Sequence, residues 1–132
     1  MPEATPSPQP APAPARFLNV APILPTSDLE QMSGHYRRLG FTVQVHDEGY
    51  ATASRDGLHL HFHRASAGEG AGTAVVPGAV YFGVDDAEAL HSEWVMAGVG
   101  ETGELFDPGY GVWEAAHIDP DGNIIRFGSP TR

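Results

Sequence analysis

The sequence contains no cysteine and no lysine, and each absence excludes a class of chemistry. Without cysteine the chain has no disulfide framework, no thiolate zinc site and no cysteine nucleophile. Without lysine it cannot form a Schiff base. No run of eighteen apolar residues occurs, and the N-terminus lacks the basic and apolar regions of a signal peptide. We therefore expect a cytoplasmic protein with no membrane partner.

Positive charge is also scarce. Seventeen acidic residues stand against seven arginines, which gives a formal net charge of −10. No arginine lies between Arg64 and Arg126, an interval that holds eleven acidic residues. Such a field repels nucleic acid and anionic lipid and attracts cations. The alternative interpretation is that the charge serves solubility alone.

The 132 residues suit one domain preceded by a tail. Residues 1–16 alternate proline with alanine and hold no larger apolar side chain between Pro2 and Ala15, which predicts disorder. The remaining residues, 17–130, carry the patterns of a folded domain.

Helix and strand signals in the first half of the domain occur in the order βαβββ. Residues 17–24 are apolar and predict a strand. Ser27 and Glu30 have the spacing of a capping box and predict a helix that begins after Ser27. Apolar residues at helical spacing follow, and three strands are then predicted at 41–46, 50–54 and 58–63.

The second half repeats this order, with a strand at 79–84, a helix at 85–97 and strands at 112–118 and 123–127. A shift of 58 places Asp28 on Asp86 and Tyr36 on Trp94, which indicates an internal duplication. We therefore predict an α+β fold of two tandem modules, residues 17–64 and 78–130, joined by a linker at 65–77.

Four short motifs resemble those of one known superfamily: S-D-L at 27–29, L-G-F at 39–41, D-E-G-Y at 47–50 and D-P-D-G-N at 119–123. The resemblance is to the glyoxalase, bleomycin resistance protein and extradiol dioxygenase superfamily, also called vicinal oxygen chelate proteins. It implies two βαβββ modules whose curved mixed sheets carry the ligand site on their concave faces. Within the superfamily the chain looks most like bleomycin resistance proteins.

Enzymes of this superfamily hold a metal ion with four ligands, and the resemblance places those positions at Ala21, His61, Ala79 and Arg126. One imidazole cannot replace a set of three or four ligands. We therefore expect neither a metal nor another cofactor. A rival metal site could form from His59, His61 and His63, which alternate along one strand. The interpretation we favour is that these imidazoles line a polar cleft.

Aromatic and acidic residues are the remaining candidates for a site. Flat rings bind planar groups and cations, and carboxylates add charge-assisted hydrogen bonds. The predicted ligand-binding residues are Asp47, Tyr50, His61, His63, Tyr81, Tyr110, Trp113, Glu114 and Arg126. The rings predicted to lie in the core are Phe41, Phe62, Phe82, Trp94 and Phe127. His35 and His91 are predicted to be solvated, and the position of His117 stays open.

The resemblance implies non-catalytic sequestration of a cationic, planar-aromatic small molecule such as a bleomycin-family antibiotic. It further implies a homodimer whose clefts form between subunits. The negative charge leads us to expect no nucleic acid partner. Two alternatives remain. One is a lyase, isomerase or dioxygenase with a variant metal site, and the other is a non-catalytic immunity or carrier protein for a different natural product.

Overall fold

The computed structural model describes residues 10–65 and 76–131. Residues 1–9 of the predicted tail and 66–75 of the predicted linker lie outside the described residues. The order of elements repeats once along the chain. The elements are β1 (Ile23–Thr26), α1 (Leu29–Arg38), β2 (Thr42–Asp47), β3 (Tyr50–Arg55), β4 (Leu58–Arg64), β5 (Ala79–Gly83), α2 (Ala87–Ala97), β6 (Glu101–Thr102), β7 (Val112–Ile118) and β8 (Ile124–Pro130).

Each module forms its own four-stranded mixed sheet. Sheet one has the order β1-β4-β3-β2 and sheet two the order β5-β8-β7-β6. In each sheet the first strand pairs in parallel with the last, and the other pairings are antiparallel. This equivalence confirms the predicted α+β class and its two βαβββ units. No helix of the described chain is long and apolar enough to cross a membrane.

The two helices begin in the same way. Asp28 and Asp86 are their N-caps, and each carboxylate accepts a hydrogen bond from the backbone amide three residues later. The capping box predicted from Ser27 is therefore wrong by one residue. The Ser27 hydroxyl instead donates to the Asp121 carboxylate at 2.7 Å. Gly98 ends α2 in the left-handed conformation, as predicted.

The predicted strand at 17–24 is wrong for most of its length. β1 begins at Ile23, where it pairs with His61 of β4. The Pro22 carbonyl still accepts a hydrogen bond from the His61 backbone amide of β4, but residues 17–20 are assigned to no strand. Phe17, Leu18 and Val20 lie exposed outside any helix or strand. The two-residue strand β6 was not predicted from the sequence.

One hydrophobic core is shared by both modules. Its aromatic members include Tyr36 and Phe62, whose ring centroids are 4.7 Å apart, and Trp94 and Phe127, 5.2 Å apart. The Trp94 indole N–H crosses between the modules and donates to the Leu39 carbonyl at 3.1 Å. All five rings predicted for the core lie in it or pack against it.

Alternation along the strands decides which face of each sheet meets this core. Ala51, Ala53, Leu60 and Phe62 of sheet one and Ala115, Ile125 and Phe127 of sheet two are buried. The residues between them lie on the opposite face. We call these opposite faces the open faces. Because both modules turn their helix-bearing faces to the shared core, each open face is directed away from it.

The D-P-D-G-N turn joins the modules. The buried Asp119 carboxylate accepts hydrogen bonds from the Tyr36 hydroxyl at 2.8 Å and from the Asn123 side-chain amide at 3.0 Å. It also accepts from the backbone amides of Asp121 and Asn123. Asp121 in turn accepts from the Thr26 hydroxyl at 2.6 Å. Burial and the neighbouring Asp119 raise the pKa of the Tyr36 hydroxyl well above its ordinary value, so Tyr36 remains a donor.

We expect Asp119→Ala to lower the free energy of unfolding by about 3 kcal/mol or more, because four donors, three of them in buried bonds, lose their charged acceptor. Urea denaturation measures the change. Asp107→Ala is the matched control, since exposed Asp107 accepts one turn bond, from Gly109. Equal losses in the two variants would contradict a joining role for Asp119.

Candidate functional site

The open face of sheet one is polar. The Tyr50 hydroxyl and the His61 Nδ1 atom are 2.7 Å apart, and the two rings meet edge to face. Thr52 lies opposite His61 in the strand register, and its hydroxyl is 2.9 Å from the His46 Nε2 atom. His63 pairs with Tyr50 on the same face. Three predicted site residues, Tyr50, His61 and His63, are therefore brought together.

The open face of sheet two carries Tyr81, Glu114 and Arg126. Tyr81 pairs with Arg126 in the register, and its hydroxyl donates to the Glu114 carboxylate at 3.2 Å. Partial desolvation and that hydrogen bond raise the pKa of the Tyr81 hydroxyl. Half of the Tyr81 surface remains exposed. This face therefore offers an aromatic ring and a carboxylate held together by a hydrogen bond, next to a cation.

Gly128 explains how Tyr81 can lie across its sheet. A Cβ atom at position 128 would collide with the Tyr81 hydroxyl and would lie 3.1 Å from the Glu114 Cγ atom. Only glycine leaves that space for the phenol.

Sequence reasoning missed Phe106 as a member of this face. Its backbone forms an isolated antiparallel bridge with Glu114, with N···O distances of 2.8 and 2.9 Å. Residues paired in this way project to the same side of a sheet. Phe106 is about half exposed, so it adds a ring beside the carboxylate. A single bridge leaves no run of alternating residues that the sequence could have revealed.

Three predicted site residues lie elsewhere. Trp113 is paired with Ser129 and packs against the core, on the side of sheet two opposite Tyr81. Asp47 lines a separate cavity of about 590 Å³ beside the start of α1. Tyr110 is exposed in the loop before β7. The position of Trp113 in β7 directs this predicted ligand-binding residue to the core, away from Tyr81.

The four positions that correspond to metal ligands do not fit a metal ion. Ala79 and Arg126 lie in the strands of sheet two, and Ala21 precedes β1. Methyl groups and a guanidinium offer no lone pair to a metal ion. His61, the one possible donor of the four, has its Nδ1 atom in the hydrogen bond with Tyr50.

The two remaining histidines of interest form a buried pair between the modules. The Nε2 atoms of His35 and His117 are 2.8 Å apart, and the His117 Nδ1 atom is 2.8 Å from the Thr102 hydroxyl. A side chain at Gly100 would collide with both imidazoles. The prediction that His35 is solvated is wrong, because its position on α1 faces the second module. His117 shares neither open face.

The comparisons with known proteins agree with this architecture. A sequence profile of the glyoxalase/bleomycin resistance protein/dioxygenase superfamily matches residues 16–127. The chain belongs to this superfamily. The resemblance inferred from the four sequence motifs is thereby confirmed.

Several members of the superfamily resemble the chain over most of its length. A bleomycin resistance protein of Klebsiella pneumoniae is 28% identical over 117 residues, which cover 80% of this chain and 87% of that protein. The crystal structure of a bleomycin resistance determinant encoded on transposon Tn5 superposes with a TM-score of 0.73 at 24% identity, covering 86% of this chain and 98% of that chain.

A third relative has been solved with a ligand. The bleomycin-binding protein of the bleomycin-producing Streptomyces verticillus, complexed with copper(II)-bleomycin, is 27% identical to the chain. It superposes with a TM-score of 0.67, and the match covers 86% of this chain and 96% of that chain. The chain is thus similar to proteins of bleomycin resistance and binding in both sequence and fold.

Because of the buried His35–His117 pair, we expect the free energy of unfolding to fall in mild acid. Burial lowers the pKa of both imidazoles, that of His117 to about 4 with His35 as a second cause, although Asp119 raises the pKa of His35. The unfolded chain then binds more protons than the folded chain between about pH 6.5 and pH 4. The pair's contribution is fully present above pH 6.5 and is lost as the pH falls through this window, by about 2 to 3 kcal/mol for His117.

Urea midpoints between about pH 7.5 and pH 4.5 test this expectation. His117→Gln should flatten the pH dependence, whereas the control His59→Gln, at an exposed strand residue, should retain it. Equal slopes in both variants would contradict the role of the pair.

Proposed function

We propose that the protein sequesters a cationic, planar-aromatic small molecule of the bleomycin class without chemical change. The observation that carries this proposal is the similarity to bleomycin-resistance and bleomycin-binding relatives over most of the chain, at 27 and 28% identity. The open faces supply matching chemistry, because Tyr81 and Phe106 offer rings next to the Glu114 carboxylate.

The contacts differ in their proposed roles. Ring faces attract both planar groups and cations, which suits Tyr81 and Tyr50. The Glu114 carboxylate would meet the positive group of the ligand. Arg126 lies beside Tyr81 and would meet an acceptor group of the ligand, such as a carbonyl oxygen. Trp113, which faces the core, has no role in this proposal.

We further propose that the binding cleft forms in a homodimer. The open faces of one chain are both directed away from its core, so sheet one of a protomer can face sheet two of its partner. Apolar residues that a partner could cover occur on both faces, with Ile23 on one and Ile118 on the other. The exposed apolar segment at residues 17–20 is a further surface available for such an association.

Calorimetry with bleomycin tests the ligand. We expect Tyr81→Ala to weaken binding about 5- to 150-fold, the effect of 1–3 kcal/mol for an anchoring ring. Tyr81→Phe keeps the ring and should lose much less affinity. Glu114→Gln should weaken the salt dependence of association. The control is Met96→Ala, on the exposed side of α2. Absence of binding would contradict the proposed ligand. Recovery of a chemically altered drug from the complex would show that the protein is an enzyme.

Mixing two defective variants tests the dimer. Tyr50→Ala impairs sheet one and Tyr81→Ala impairs sheet two. If each cleft combines sheets of two protomers, a mixed dimer has one intact cleft, and we expect random mixing to restore about a quarter of the high-affinity sites. No recovery under conditions of subunit exchange, or a sedimenting mass equal to the 14.0 kDa of one chain, would contradict the proposal.

A further inference from the structure

A groove between the modules lies apart from both open faces. It has a volume of about 500 Å³ and runs between the turn that joins β3 and β4 and the first turns of α2. Phe41 and Leu58 of the first module face Phe82 and Leu90 of the second across it. Phe82 pairs with Phe127 on the core-facing side of sheet two, so the groove is on the opposite side of that sheet from Tyr81.

The walls of the groove are apolar where they are deepest. Phe41 and Trp94 are buried, and the ring of Phe41 is 6.4 Å from that of Phe82. Leu58 is half exposed at the entrance. A volume of this size lies within the range of about 300–1,000 Å³ that is usual for small-molecule sites.

The rim of the groove is acidic. Among the described residues that line it, one side chain is cationic, that of Arg55, and four are acidic: Asp56, Asp85, Asp86 and Glu93. The Arg55 guanidinium is already engaged, with two bonds to Glu93 at 2.6 and 2.9 Å and one to the Leu39 carbonyl at 2.8 Å. The Glu93 hydrogen bond is also the main cause that raises the pKa of Arg55. Arg55 therefore acts as a fixed bridge between the modules, and the field at the rim is negative.

We infer that this groove is a second binding site, which takes an amphipathic cation: an aryl or alkyl group carrying one ammonium. The apolar body would lie against Phe41, Phe82 and Leu90, where it removes hydrocarbon surface from water. The ammonium would remain at the rim, near Asp85 and Asp86. A neutral body of the same shape gains only the first interaction, and an anion is repelled.

Nuclear magnetic resonance with a defined probe tests the site. The probe is 1-naphthylmethylammonium, compared with the neutral 1-naphthalenemethanol and the anionic 1-naphthoate. We expect amide shifts in residues 82–90 and near Leu58 on addition of the cation, with the neutral compound bound several-fold more weakly. Shifts confined to residues around Tyr81 and Glu114, or equal affinity for the cation and the alcohol, would overturn the inference and leave the bleomycin proposal to its own test.

Two variants separate the parts of the site. Ala89 is exposed on α2 and lines the groove. Ala89→Trp should therefore fill the groove and weaken binding of the cationic probe roughly tenfold or more. Asp85→Asn should weaken binding of the cation about 2- to 5-fold, which is the effect of one exposed charge pair. It should leave the affinity for the alcohol unchanged. The control Glu88→Gln removes a charge from the same helix end outside the groove. Probe affinity that is unchanged by Ala89→Trp, or lowered equally by Glu88→Gln, would overturn the assignment.

Discussion

The arrangement of the two modules depends on the hydrogen bonds that the buried Asp119 carboxylate accepts. The carboxylate accepts hydrogen bonds from donors in its own turn and from the hydroxyl of Tyr36 on the helix of the other module. A charge in this position is stable only because every donor is aimed at it, so the turn can take one conformation. The same turn holds β1 through the bond from Asn123 to the Pro25 carbonyl at 2.9 Å. Fixing the modules in this way directs the helices inward and the open faces outward.

This constraint explains which features could be predicted from the sequence. The helical spacing of Leu29, Met32 and Tyr36 marks the face of α1 that packs into the core, and the same spacing recurs 58 residues later in α2. The alternating histidines of β4 were predicted to share one face, and the register confirms it. In both cases one element contains the whole signal, since a repeat of two or 3.6 residues decides the face.

The features that were predicted wrongly or missed depend on contacts between residues far apart in the sequence, or on strands whose apolar and polar residues do not alternate clearly. Val112 and Trp113 are both apolar and Ala115 and Ala116 both small, so the pattern of β7 does not tell its two faces apart. The face of Trp113 is decided by its pairing with Ser129 in β8. The His35–His117 contact joins residues 82 positions apart. Residues 17–20 have the composition of a strand, yet within the described residues they are assigned to no strand.

The distribution of charge separates the open faces from the groove at α2. A net charge of −10 raises the local concentration of cations over the whole surface but selects none of them. On sheet two Glu114 is accompanied by Arg126, so selectivity there must come from the geometry of a ring, a carboxylate and a guanidinium. At the groove Arg55 is held by Glu93, and Asp85 and Asp86 add negative charge to the same rim. Salt should therefore weaken a cation in the groove more than a mixed-charge ligand on the open face, since screening acts on the uncompensated field.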